Sequence, residues 1–289
     1  MSQESYDLMF NRLRQVPPSI IHCVVMLAVP IVYPRLEAIE KALTGVAVAK
    51  KSVNGAFNLL GKAVTTITPA GSATQSTHSA FDGVKKAFGK SGLMSSVVSK
   101  FGEVDLLGTS IAARELITDD LMDHWTHANH DRERTMVIRT LQEIALNRRI
   151  RMTIVSGDVH CCGVGYLYDP KSPQDHKLMY QIITSAIVNV PPPGMVIKLL
   201  HNNDKYWVPP MNSSQSTKQQ SDTKEEMMEL FAKDVDGKPL GNLKRLLPRR
   251  NYAICRGGDG GSEIWEICVE KGRGSDTVKY GPIVIPRLQ

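Results

Sequence analysis

Apolar residues along the chain follow two periodicities, one typical of helices and one typical of buried strands. Apolar positions at helical spacing predict amphipathic helices over residues 5–14 and 132–147. Continuous apolar runs, rich in β-branched residues, predict strands over residues 22–29 and 150–155, of the kind covered on both faces in a parallel sheet. The order of strand, helix and strand therefore predicts a layered α/β fold, with the helix over 132–147 packed on the sheet.

The second half of the chain adds shorter elements to this core. Further strands are predicted over residues 164–168, 177–186, 264–269 and 277–285, and short helices over residues 195–201 and 225–231. The last two strands alternate apolar and polar residues, as edge strands of an antiparallel sheet do. Residues 209–224 are rich in Ser, Gln, Thr and Lys, which predicts a disordered loop. A mixed β-sheet flanked by helices is therefore expected.

A change of composition divides the chain into three parts. Residues 45–100 are dominated by Ala, Gly, Ser, Thr and Lys, which predicts a linker or a surface insertion. Residues 1–44 are then one part of the sheet domain, and residues 101–289 are the remainder of that domain. Residues 108–118 form a second, shorter predicted insertion.

A polar motif follows the predicted strand over 150–155. It reads Ser-Gly-Asp-Val-His at residues 156–160, and it places Asp158 and His160 two residues apart. In open α/β sheets, ligands bind at the carboxyl ends of the strands. A carboxylate and an imidazole on a turn there can both reach one metal ion or one phosphate. The alternative is an ordinary polar turn, because an Asp-x-His spacing is a weak motif.

A second polar stretch precedes the helix over 132–147. Its acidic and imidazole side chains are Asp119, Asp120, Asp123, His124, His127 and His130. The histidine spacing is compatible with one helical stripe, and a cluster of this density suits Zn, Fe or Mn. The alternative is a solvated helix N-terminus, where carboxylates interact favourably with the helix dipole.

These motifs in this order resemble the PhoD-like (alkaline-phosphatase-D-like) metallophosphoesterases, and most closely the fungal branch of that family. The resemblance rests on an Asp-x-Trp segment at residues 123–125, the following helix, and Ser-Gly-Asp-Val-His at residues 156–160. Residues 28–35, 183–193 and 234–251 are also similar to the fungal branch. The family resembles two-metal hydrolases whose first metal ligands lie on earlier strands, so the resemblance implies a domain that is incomplete at its N-terminal side.

The resemblance also implies a set of site residues. Asp158, His160 and Asp123 are the expected metal ligands, and His160 and Asp123 are the expected catalytic residues. The expected cofactors are divalent or trivalent metal ions (Fe, Ca, Zn or Mn), and the expected substrate is a phosphoester. Ser156 and Trp125 would donate hydrogen bonds to the ligating side chains. Because further ligands are needed, we expect weak or no activity from these residues alone.

Two other interpretations remain open at this point. The chain can be a non-catalytic interaction protein or a membrane-peripheral protein derived from the phosphatase fold. It can also be an unrelated α/β domain in which the Ser-Gly-Asp-Val-His motif is a coincidence. Detectable bound metal would favour the phosphatase over the first of these, and a large separation of Asp158 from Asp123 would favour the second.

Charge and hydropathy restrict the classes of partner. A net charge of +6 favours anionic partners, such as phosphate esters and acidic lipids. Zinc-finger spacing and basic stripes with interleaved aromatics are absent from the sequence, so no nucleic-acid partner is expected. The most apolar run, residues 20–33, is shorter than the ~20 residues of a membrane span. The first fifteen residues are polar, unlike a secretory signal, so we expect an intracellular protein, either cytoplasmic or peripherally membrane-associated.

Three further features carry alternatives. Five cysteines without framework spacing indicate a reducing compartment, and Cys162 is interpreted as a small buried residue rather than a soft metal ligand. Tyr33 and Arg35 are either substrate contacts or a packing tyrosine and a solvated arginine. The basic residues 244–250 either contact phosphate and lipid headgroups or form a solvated loop. The sequence leaves the oligomeric state open.

Overall fold

The computed structural model describes residues 2–35, 122–157, 159–185, 187, 197–198, 200–201, 205–272 and 276–289. These residues belong to one compact unit, formed by Met1–Leu36 and Met122–Gln289. The predicted insertions at 45–100 and 108–118 lie outside the described residues, as do Asp119, Asp120 and Asp158.

The described elements comprise two long helices and ten strands. The helices are α1 (Gln3–Arg14) and α2 (Asp131–Arg148). The first strands are β1 (His22–Leu27), β2 (Arg151–Ser156), β3 (Cys162–Tyr168), β4 (Met179–Ile183) and β5 (Tyr206–Trp207). The last are β6 (Lys224–Met227), β7 (Leu246–Leu247), β8 (Asn251–Gly257), β9 (Glu263–Glu270) and β10 (Thr277–Ile285). Single 3₁₀ turns occupy Ala128–His130 and Asp259–Gly261. None of the helices in these ranges is both long and apolar enough to cross a membrane.

The strands form two sheets. The larger sheet has seven strands in the order β1-β2-β4-β3-β6-β5, with β7 also paired to β3. Strands β1, β2 and β4 are parallel, whereas β3, β5, β6 and β7 pair antiparallel. The smaller sheet is antiparallel, in the order β10-β9-β8. The predicted mixed α/β architecture is therefore confirmed.

Two hydrophobic clusters lie on opposite faces of the larger sheet. One joins α1 and α2 to the sheet, and Met152 and Ile154 of β2 belong to it. The other joins the sheet to the smaller sheet, and Val164 of β3 and Trp265 of β9 belong to it. Because successive side chains of a strand point to opposite faces, β2 contributes to both layers: Val155 packs against the second cluster.

Local sequence explains why α2 begins and ends where it does. Acidic Asp131 and Glu133 occupy its first turn and basic Arg148 its last, which matches the polarity of the helix dipole. Arg149 ends the helix in the left-handed conformation (φ 53°), and its N–H donates to the carbonyls of Ala145 and Leu146. The predicted helix and the observed helix thus agree to within one residue at each end.

Four predictions about local structure are wrong. Residues 264–269 are not an edge strand, because β9 lies between β8 and β10. Strand β1 is not covered on both faces: it lies at one end of the strand order, and Met26 is 82% exposed. Residues 225–231 are not helical, because Lys224–Met227 is strand β6. Residues 209–224 are not disordered: the N–H of Trp207 donates to the Thr217 carbonyl (2.7 Å), and Thr217 is buried. In each case the tertiary surroundings, rather than local composition, determine the structure.

Candidate functional site

The carboxyl ends of the parallel strands meet at one edge of the larger sheet. Leu27, Ser156 and Ile183 end β1, β2 and β4, and they stand opposite one another in the strand register. Beyond them, the Gly157 N–H donates to the Ala28 carbonyl at 3.3 Å. The chain leaving β2 therefore runs beside the chain leaving β1, at the edge where open α/β sheets bind ligands.

A buried glutamine fixes the ends of two of these strands. Gln181 on β4 is fully buried, and its side-chain oxygen accepts the Ile31 N–H at 3.1 Å. Its side-chain nitrogen donates to the Ser156 hydroxyl oxygen at 3.0 Å. One amide thus holds the loop after β1 against the start of the Ser-Gly-Asp-Val-His motif. A lone polar residue in a strand gave no sequence signal for this role.

A buried asparagine from the smaller sheet fixes the loop after β4. The side-chain oxygen of Asn251 accepts hydrogen bonds from the Thr184 hydroxyl and the Ser185 N–H, both at 3.1 Å. Its side-chain nitrogen donates to the carbonyls of Ser185 and Arg249, the latter at 2.9 Å. Because both lone-pair directions and both N–H groups have partners, this amide is fully satisfied.

The two family motifs approach each other through Tyr33. The Tyr33 ring stacks on the ring of His124, with centroids 6.2 Å apart and an interplanar angle of 22°. The Tyr33 hydroxyl lies 3.7 Å from the sulfur of Cys161. His124 is the middle residue of the Asp-x-Trp motif and Cys161 directly follows His160, so one buried tyrosine contacts the first motif and the residue after the second. Tyr33 is therefore a packing residue, one of the two alternatives that the sequence allowed.

The predicted site residues occupy different environments. Asp123 is exposed, and His160 is half-buried with a left-handed backbone (φ 51°). Such conformations are costly for residues other than glycine, and they are enriched at functional sites. Asp158, between Gly157 and Val159 of the same motif, lies outside the described residues. Within the described ranges, no group of three His, Cys, Asp or Glu side chains is arranged to hold a metal ion.

Residues 122–130 contain the Asp-x-Trp segment, and their three histidines do not form one helical stripe. His124 is buried against Tyr33, and His127 accepts the Asn129 N–H at 3.2 Å, at the start of the 3₁₀ turn. A ring nitrogen of His130 lies 3.0 Å from the Met122 carbonyl, and its ring meets Trp125 edge-on. Each imidazole thus contributes to the local structure of the segment that carries Asp123.

Buried charges hold this segment and the loop after β1. We call Arg35, Asp131, Arg134 and Glu225 the arginine–carboxylate cluster. Arg35 donates to the Thr126 carbonyl (2.9 Å) and to the Asp131 carboxylate, and it lies 3.5 Å from Glu225. Arg134 donates to the carboxylate of Glu225 and, through Nε at 2.7 Å, to a carbonyl of the loop after β1.

Charge balance explains how two guanidinium groups remain in the interior. Arg35 is 2% exposed and Arg134 is 0% exposed, and the carboxylates of Asp131 and Glu225 balance their charges. Burial lowers the pKa of Arg134, and the carboxylate of Glu225 partly offsets this. Burial also acts to lower the pKa of Arg35, but Glu225 and Asp131 outweigh it, so that this pKa is raised. Arg35 is buried, so the alternative of a solvated arginine is wrong, and a contact with substrate stays a prediction.

The cysteines beside the motif are inert. Burial raises the pKa of the Cys161 thiol to about 12, while its hydrogen bond with Tyr33 acts in the opposite direction. Burial also raises the pKa of Cys162 well above its ordinary value, and its thiol donates to the Leu247 carbonyl at 3.5 Å. All five cysteines are free thiols. The interpretation of Cys162 as a small buried residue is confirmed.

Ion pairs offset part of the charge of the basic residues 244–250. Arg249 forms two hydrogen bonds with the carboxylate of Asp234, at 2.7 and 2.6 Å. This contact lowers the pKa of Asp234. Lys244 and Arg245 lie 3.8 and 3.7 Å from Glu229. These ion pairs favour an ordinary loop at residues 244–250 over a contact with phosphate and lipid headgroups.

Comparison with known proteins identifies the family. Residues 1–264 match the family described as PhoD related phosphatase. The Uncharacterized protein YGR266W of Saccharomyces cerevisiae is 27% identical over 312 aligned residues, which cover 99% of this chain and 36% of that protein. The chain thus spans about a third of the length of this curated relative. No solved structure matches. Because the family match extends over 264 of 289 residues, the chain belongs to the PhoD-related phosphatases.

Proposed function

We propose that this chain supplies a phosphoester-binding edge of a metal-dependent phosphatase. The observation that carries the proposal is the contact of Tyr33 with His124, inside the first motif, and with Cys161, directly after the second. This contact draws the Asp-x-Trp segment and the Ser-Gly-Asp-Val-His segment toward the carboxyl edge of the parallel strands. Family membership indicates the reaction class, and the carboxyl edge of the parallel strands is where such sheets bind ligands.

In this proposal the three motif residues act around one metal ion. Asp158 and His160 are metal ligands from the turn after β2, and Asp123 completes the site from the opposite segment. Carboxylate oxygens and imidazole nitrogens are donors that suit Zn, Fe and Mn, and carboxylates also suit Ca. A bound metal would lower the pKa of a water molecule and neutralise the phosphoryl oxygens. His160 either acts as a ligand or donates a proton to the departing alkoxide.

The number of ligands limits the activity that we propose. Catalytic metal sites normally use three protein ligands, and Asp123, Asp158 and His160 provide three for one ion. The two-metal chemistry that the family resembles needs further side chains for a second ion. We therefore propose that the phosphatase activity of these residues alone is weak or absent.

The test is the metal content of the purified chain by plasma emission spectroscopy. Asp158→Ala is the test variant, and Asp236→Ala is the matched control, because Asp236 lies in an exposed turn paired with Lys238. Near-stoichiometric Fe, Zn, Mn or Ca in the wild type and the control, lost in Asp158→Ala, supports the proposal. Hydrolysis of a chromogenic phosphate monoester and diester is then measured.

Absence of metal in all three proteins contradicts the proposal. In that outcome the chain keeps the family scaffold without its chemistry. The alternative function, a non-catalytic interaction protein or a membrane-peripheral protein, would then be tested by sedimentation with vesicles that contain acidic phospholipids.

A further inference from the structure

Residues 122–130 and the loop after β1 (28–35) are both tied to one carboxylate of the larger sheet. Arg35 contacts residues 122–130 through the Thr126 carbonyl at 2.9 Å. Arg134 reaches the loop after β1 through the Ile31 carbonyl at 2.7 Å. Both guanidinium groups pair with Glu225, which lies on β6 and belongs to neither segment.

We propose that Glu225 is a positioning residue: by pairing both arginines, it sets residues 122–130 and residues 28–35 relative to each other. Because Tyr33 belongs to the second range and contacts Cys161, the residue after His160, Glu225 thereby also affects the position of Asp123 relative to His160. The positional claim stands on the contacts alone, and its catalytic consequence rests on the proposed function. Glu225 touches no substrate in this proposal.

The argument begins with the cost of burying charge. A guanidinium group in the interior is tolerated only when a carboxylate balances it, because water cannot solvate it there. Arg35 has a second carboxylate, Asp131, whereas Glu225 is the one carboxylate that forms an ion pair with Arg134 in the described ranges. A neutral side chain at position 225 therefore leaves the cluster with one unbalanced buried charge.

Other groups in the described part of the chain offer no replacement. The Nε and Nη2 atoms of Arg35 and the Nη1 atom of Arg134 are buried and make no hydrogen bond there. Because each guanidinium group already has a buried nitrogen without a hydrogen bond, the loss of the Glu225 carboxylate would leave still more of their buried N–H groups without an acceptor. We expect the arginines to move toward solvent and to release the carbonyls of Thr126 and Ile31.

The next residue on the same strand provides a matched control. Glu226 points to the opposite face of the sheet, where it accepts hydrogen bonds from the hydroxyls of Tyr166 (3.0 Å) and Tyr168 (2.8 Å). Glu226→Gln makes the same chemical change in the same strand, away from both arginines. A general effect of losing a carboxylate from β6 would appear in both variants.

The experiment is hydrogen–deuterium exchange with mass spectrometry on the full chain. In Glu225→Gln we expect exchange in peptides covering 28–35 and 122–130 to be about tenfold faster or more, with β9 and β10 unchanged. In Glu226→Gln we expect wild-type exchange in both peptides. Wild-type exchange in Glu225→Gln would overturn the inference.

If Glu225→Gln speeds exchange throughout the chain, two further variants distinguish a local effect of each arginine from a general loss of stability. Arg35→Lys keeps its charge but loses the planar fork, so it is expected to speed exchange in 122–130 more than in 28–35. Arg134→Lys is expected to do the reverse, because its backbone contact is the Ile31 carbonyl. Equal effects of the two variants on both peptides would overturn the inference.

The catalytic consequence has its own readout. If the wild type hydrolyses a phosphoester, we expect kcat/KM to fall about tenfold in Glu225→Gln, and to recover in part in Glu225→Asp, which restores the charge. A faster exchange with unchanged kcat/KM would refute the catalytic part. If the wild type is inactive, the exchange result still decides the positional claim, and only the proposed function fails.

Discussion

Replacing Asn251 with alanine tests how the candidate site is held by the smaller sheet. The asparagine is 3% exposed, and its amide forms four hydrogen bonds, three of them to the loop after β4. Alanine at this position leaves all four partner groups without the amide. The predicted consequence is a loss of stability that is large for one substitution.

The size of this loss follows from the burial of each hydrogen bond. The two bonds to the backbone of Ser185 are buried, while those to Thr184 and Arg249 are part-buried and accessible to replacement by water. We take about 1 kcal/mol for each buried bond and about 0.5 kcal/mol for each part-buried one, or about 3 kcal/mol in total. At a urea slope of about 2 kcal/mol/M, the midpoint of unfolding would fall by about 1.5 M.

The assay is urea unfolding followed by far-ultraviolet circular dichroism. The control is Asn147→Ala, because Asn147 is exposed near the end of α2, and its free energy of unfolding is expected to stay within about 0.5 kcal/mol of wild type. A loss below about 1 kcal/mol in Asn251→Ala would refute the reasoning, since even the two buried bonds alone should exceed it.

Two other predictions concern the carboxylate of Glu133 and the predicted insertion at residues 45–100. The hydroxyl of Tyr6 donates to Glu133 and is the main cause of the lowered pKa of that carboxyl group, so Tyr6→Phe should destabilise the chain at pH 7. Because the lowered pKa of Glu133 gives its full stabilisation above the unfolded value of 4.5 and loses it as the pH falls through the lower folded-state pKa, the difference from wild type should shrink below pH 4.5. A difference that grows in acid urea titrations would contradict this. Replacing residues 45–100 with a short Gly-Ser linker should change the melting temperature by less than about 3 °C, because Arg35 contacts Thr126 directly; a larger fall in calorimetry would show that 45–100 is not an insertion.

The fold was predictable where the pattern is local. Helix α2 was predicted over 132–147 and found at Asp131–Arg148, and strand β2 was predicted over 150–155 and found at Arg151–Ser156. Both patterns lie within a few turns or one strand, so neighbouring residues carry the whole signal. The same reasoning failed at β6, where the two glutamates and two methionines of residues 225–228 favour a helix, but Glu225 is a buried counter-ion for Arg134.

The candidate site also has features that were predictable from the sequence and features that were not. The sequence alone determined the motifs with Asp123, Asp158 and His160, and through them the family, because motif residues are contiguous and need no knowledge of the chain path. Only the tertiary structure brought Tyr33 to Cys161, across 128 residues of sequence, and Asn251 to the loop after β4. Which polar group meets which partner depends on how the sheets stack and where the strands end. Those distances are set by the packing of the whole core, and they leave no periodic trace in the sequence.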